Sequence, residues 1–104
     1  MLSLLYQVKT GAIRMHFDDE GREELLLSLK IAIKERDHDF LLPDTPEEGD
    51  SEEWEVRDFI NIICLPDDKA PLSIEDGVEL KGGAIALAAL AEQLQPPACS
   101  VTIG

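Results

Sequence analysis

The sequence predicts an α+β domain: a mixed, mainly antiparallel sheet with two helices packed on one face, in a split βαβ-like arrangement with an added hairpin. Three observations lead there. Segments of two-residue apolar period alternate with two segments of helical period, and proline and glycine punctuate the joints between them. A strand, helix, strand order from Ile13 to Leu42 also recurs from Val78 to Ile103. With 104 residues, 44% of them apolar, the chain supports one core, so residues 1–104 read as a single domain.

Taken in order, Leu4 to Val8 and Ala12 to Phe17 flank a short connection at Lys9, Thr10 and Gly11. The second run places Ile13, Met15 and Phe17 on one face and Arg14 and His16 on the other, which predicts a hairpin. Asp18 stands where it can cap a helix from Asp19 to Glu35, whose acidic first turn and basic end (Lys34, Arg36) match the helix dipole. In that helix Leu25, Leu26, Leu29, Ala32 and Ile33 form a wide apolar stripe, and Gly21 weakens the first turn. Leu27 and Ile31 point away from the stripe and need a second cover from a loop, a strand or another subunit.

His38 to Leu42 reads as a short strand ended by Pro43. Arg57 to Leu65 is the strongest strand, with Phe59, Ile63 and Leu65 facing one way and Ile60, Ile62 and Cys64 the other. It is therefore expected at the centre of the sheet with both faces buried. Asp76 and Gly77 divide Leu72 to Leu80 into a second hairpin. Gly82 and Gly83 open a helix from Ala84 to Leu94 that packs through Leu87, Leu90, Ala91 and Leu94. Pro96 and Pro97 stop it, and Ala98 to Ile103 is the last expected strand.

The stretch from Asp44 to Asp58, read as a loop, carries the main functional signal. It holds eight carboxylates against one base, Arg57, a net -7 in a chain whose 22 acids and 9 bases sum to -13. Like charges so crowded raise one another's potential, and Arg57 alone answers them. Trp54, the only tryptophan, lies among them. An amphipathic ring within a negative segment suits capture of a cationic protein, with Asp50, Glu52, Glu53, Trp54, Glu55 and Asp58 as contacts. It equally suits a solvated loop with one aromatic anchor. The pair Leu27 and Ile31 is the candidate second interface.

A pI near 4.3 argues against nucleic acid or an anionic membrane as partner, because both are recognised by clusters of Lys and Arg. No segment has the length of a membrane span or the form of a signal peptide, so the expected location is cytoplasmic. Signals for chemistry are sparse. Lys81, Gly82 and Gly83 lack the further spaced glycines of a phosphate loop. His16 and His38 show no metal-ligand spacing, and Cys64 and Cys99 read as buried, inert thiols rather than a bridge. Asp18 with Asp19, and Asp67 with Asp68, read as caps or solvated turns. No metal or cofactor is expected, and the chain reads as a binding protein rather than an enzyme.

The succession FDDEGREELLLSLKIAI, HDFLLPDT, an acidic stretch with a tryptophan, and FINIICLPDD resembles a family of small acidic immunity proteins from bacterial polymorphic toxin systems, contact-dependent or type VI secreted. The resemblance covers about residues 16–68. It implies a cytoplasmic antidote that binds a cognate toxin and blocks its active site or substrate path. Two other readings stay open. One is a small acidic secretion chaperone or adaptor acting as a homodimer, using Leu27, Ile31 and the alanine-rich helix. The other is a small enzyme or ligand sensor built around His16 or His38.

Overall fold

The structure is a computed structural model and describes residues 1–44 and 53–104. Its elements run β1 (Leu2–Gln7), β2 (Ile13–Phe17), α1 (Asp19–Glu35), β3 (His38–Leu41), β4 (Trp54–Val56), β5 (Ile60–Cys64), β6 (Ser73–Glu75), β7 (Glu79–Gly82), α2 (Ala84–Gln93) and β8 (Ser100–Ile103). The α+β class is as expected. The strands divide between two four-stranded sheets, ordered β4-β1-β2-β8 and β3-β5-β7-β6. All pairings are antiparallel except β5 with β7.

Each helix carries the chain from one sheet to the other. After β2, α1 leads to β3 in the second sheet; after β7, α2 leads back to β8 beside β2. The recurring strand, helix, strand order therefore describes two crossings run in opposite senses. Both sheets contribute to one core. Leu2, Leu4, Ile13, Met15 and Phe17 meet Leu25, Leu29 and Ala32 of α1, Ile60, Ile62 and Leu80 of the second sheet, and Leu87, Leu90 and Leu94 of α2. Their alternate spacing in strands and three-to-four spacing in helices is what places them on the inner faces.

β5 lies inside its sheet, as its β-branched run requires, yet only one face is fully closed. Ile60, Ile62 and Cys64 are buried, Asn61 and Ile63 are half-buried, and Phe59 just before the strand is exposed. The expectation of burial on both sides therefore gives way to one closed and one partly open side.

Asp18 caps α1, accepting a hydrogen bond from the Gly21 N–H at 2.8 Å. Gly21 has a role beyond local flexibility. A Cβ there would stand 1.9 Å from the Met1 carbonyl oxygen, so the helix start and the start of β1 can meet only if the residue is glycine. The neighbouring Arg22 is buried. Its Nε donates to the Leu94 carbonyl at 2.8 Å, a second nitrogen donates to the Ala98 carbonyl, and a third pairs with Asp19 at 2.6 Å. The guanidinium thus ties the first turn of α1 to the end of α2 and the approach to β8.

Candidate functional site

The described ends of the acidic stretch, Asp44 on one side and Glu53 to Arg57 on the other, are both hydrogen-bonded along a single strand. At its start, Asp44 N–H donates to the Leu2 carbonyl at 2.7 Å, and Leu2 N–H donates to the Asp44 carboxylate at 3.1 Å. At its far end, Val8 N–H donates to the Glu53 carbonyl at 3.2 Å and Arg57 N–H to the Leu4 carbonyl at 3.0 Å. Both flanks are therefore clamped to β1. Asp50 and Glu52 lie outside the described residues.

The far end is a strand rather than the expected loop. Trp54, Glu55 and Val56 pair antiparallel with Gln7, Tyr6 and Leu5. Strand alternation then separates the candidate contacts. Trp54 and Val56 share the face of Leu5, Arg14 and Thr102, where the Arg14 guanidinium lies 4.4 Å from the indole centroid and its Nε donates to Thr102 Oγ1 at 3.4 Å. The indole is half-buried and outside the core cluster. Glu55 points to the other face, where Arg57 pairs with it at 2.8 Å and lies 4.7 Å from the Tyr6 ring centroid. Glu53 faces Lys9 at 3.9 Å, and Asp58 is exposed. The tryptophan and its neighbouring carboxylates thus occupy one rim of the molecule but not one continuous face.

Leu27 and Ile31 are brought together, and the structure shows what adjoins them. They line a groove of about 350 Å³ between α1 and β3, with Phe40 and Leu42 on its other wall. Leu27 and Phe40 are each 58% exposed and Leu42 is 73% exposed. Phe59 stands 6.3 Å from the Phe40 ring. Strand alternation separates His38, Phe40 and Leu42 from Asp39 and Leu41 but does not say which set faces out, and the more apolar set is the exposed one. A second groove, of about 490 Å³, runs between α1 and α2, walled by Leu26, Leu29, Ile33, Ala88 and Ala91 and flanked by Lys30 and Lys34.

Groups able to do chemistry are scattered among the described residues. His16 is on β2 in the first sheet, and His38 is on β3 in the second, with its Nδ1 3.1 Å from Asp37. Described His, Cys, Asp and Glu residues form no group of three or more suited to a metal. Cys64 is buried, as expected, but Cys99, between the Pro96–Pro97 turn and β8, is exposed, which corrects the expectation of a buried thiol there. Among the described residues titration is perturbed in two surface pairs. The terminal amine of Met1 and then the Gly21 N–H hold the Asp18 carboxyl below its ordinary value, and Asp18 in turn raises that amine. Lys81 holds Glu75 down, and Glu75 raises Lys81. Both are ordinary consequences of hydrogen bonding to the charged form. Among the described residues no helix is long and apolar enough to cross a membrane.

No protein-family model, curated protein or solved structure matches the chain.

Proposed function

We propose that the chain is an immunity-type protein that binds and neutralises a cognate, basic bacterial toxin through its acidic surface. The observation that carries this reading is the clamping of both flanks of the -7 stretch to β1. Anchoring both described flanks to one strand ties the ends of this closely spaced run of carboxylates to the rim formed by β1 and β4, and like charges so close in sequence add their potentials. Such a field steers a cationic protein into encounter, raising association rates well above the unsteered range of about 10⁵–10⁶ M⁻¹s⁻¹. Internal cations answer little of it: Lys9 and Arg57 are engaged by Glu53 and Glu55, and the remaining acids of the stretch outnumber them. Trp54, held on the same rim beneath Arg14, supplies a rigid apolar surface of the kind that anchors interfaces.

The test is association with the protein encoded beside this chain's gene, followed by stopped-flow across a salt series. Replacing Asp50, Glu52 and Glu53 together with lysine changes the formal charge from -13 to -7. The association rate should fall by about tenfold or more and lose its salt dependence, while the dissociation rate and the urea midpoint change little. Unchanged association kinetics would reject the acidic stretch as the docking site.

A further inference from the structure

Apart from the buried Arg22 and the terminal Glu35, α1 segregates its charges. Glu20, Glu23 and Glu24 occupy its first half, and Lys30 and Lys34 its second. The helix dipole favours this order only within the terminal turns, which accounts for Glu20 and Lys34 but not for Glu23, Glu24 and Lys30. For a lone helix the arrangement is unfavourable, because Glu20 with Glu24 and Lys30 with Lys34 are like charges one turn apart. Neither lysine makes an ion pair among the described residues. At about 100° per residue, Glu20, Glu23, Leu26, Leu27, Lys30 and Lys34 fall within one sector of roughly 120°. Leu26 is half-buried and the other five are exposed.

We propose that this sector is the interface of a two-fold homodimer, in which a second copy of the chain lays its α1 antiparallel across the first, centred between Leu26 and Leu27. At a rise of about 1.5 Å per residue, Glu23 and Lys30 each lie about 5 Å from that centre, and Glu20 and Lys34 about 10–11 Å. The two-fold axis then sets Glu23 against Lys30 and Glu20 against Lys34 of the other copy, four ion pairs in all, and stacks Leu26 and Leu27 on their counterparts. The grooves on either side of α1 supply further apolar surface, through Ile33 and Ala91 on one flank and Phe40 and Leu42 on the other. Self-complementarity selects the occupant. A basic protein would meet Lys30 and Lys34, and an acidic one would meet Glu20 and Glu23 as well as the overall -13, whereas a second copy inverted end to end matches both halves.

Since both copies carry -13, salt relieves their general repulsion while weakening the specific pairs, and the decisive test is charge placement rather than ionic strength. Three chains are compared by sedimentation equilibrium: wild type, Glu20→Lys/Glu23→Lys, and Lys30→Glu/Lys34→Glu. Wild type should be a dimer. Each variant should be a monomer, with self-association weakened about tenfold or more, because its two helices present one sign to one another. An equimolar mixture of the two variants should restore a dimer containing one of each, which also shows that both are folded. Leu27→Asp, at an exposed position, should dissociate the wild-type dimer without altering the circular dichroism spectrum. A wild type that stays monomeric overturns the proposal. So do variants that remain homodimers, a mixture that fails to pair while both spectra are native, or native mass spectrometry showing a bound anionic amphiphile in place of a second copy.

Discussion

Arg22 shows how much one side chain can organise here. Its charge is buried against Phe17, with the guanidinium carbon 5.5 Å from the ring centroid, and it donates to two backbone carbonyls beyond the end of α2. Arg22→Ala removes those donors and leaves the Leu94 and Ala98 carbonyls without them, a loss of about 2–3 kcal/mol readable as a lower urea midpoint. Arg22→Lys should recover little of it, since one ammonium cannot span partners arranged for a planar fork. Gly21→Ala is the companion case. Helix propensity alone favours alanine by about 1 kcal/mol. The Met1 carbonyl 1.9 Å from the added carbon must move, however, so the substitution should destabilise the domain. A gain in thermal midpoint would show that the β1 start yields easily. In the sequence Gly21 reads as a weak spot in a helix and nothing singles out Arg22, because long-range contacts to Met1, Leu94 and Ala98 leave no local pattern.

Among the elements, the predictable ones were those whose period is long and whose ends are marked. α1 begins and ends where the Asp18 cap and its last basic turn put it, and the Asp76–Gly77 turn carries the left-handed backbone its residues favour, with φ of 55° and 72°. β4 was hidden because three residues with a glutamate at the centre give no period, and its pairing with β1 is nonlocal. The division into two sheets was hidden for a related reason: period fixes which face a residue occupies, not which strand lies beside it. At the Asp18 cap the hydrogen bonds favour the carboxylate, so its folded-state pKa is below its ordinary 3.8. That contribution is present above the ordinary value and is lost as pH falls through the lowered one. Asp18→Asn should therefore lower the thermal midpoint at neutral pH and flatten the acid side of the stability profile. A parallel profile would detach the cap from acid unfolding. In β5 the Asn61 side-chain oxygen is buried with no hydrogen-bond partner among the described residues, an arrangement that costs stability. Asn61→Val removes it and suits a strand, so a gain of about 0.5–1 kcal/mol is expected in chemical denaturation.

For the molecule as a whole, charge sets both opportunity and cost. A formal -13 on 104 residues exceeds what solubility asks of a small domain, and the ion pairs among the described residues are mostly exposed, where each contributes little. The folded chain must then hold like charges closer together than the unfolded chain does, and stability should depend on how well solvent ions screen them. Adding sodium chloride to a low-salt buffer should raise the thermal midpoint, by about 4–8 °C for each 1 kcal/mol of repulsion screened in a domain of this size. The acidic stretch supplies more than half of the surplus, so neutralising part of it should remove part of the effect. Asp50→Asn, Glu52→Gln and Glu53→Gln together bring the formal charge to -10, and that variant should start from a higher midpoint and gain less from salt. Equal salt responses in the two chains would place the destabilising repulsion elsewhere, in the acidic half of α1 or around Asp67 and Asp68. The stretch clamped to β1 would then cost the fold nothing to carry, and its charge would need no return in stability from a bound partner.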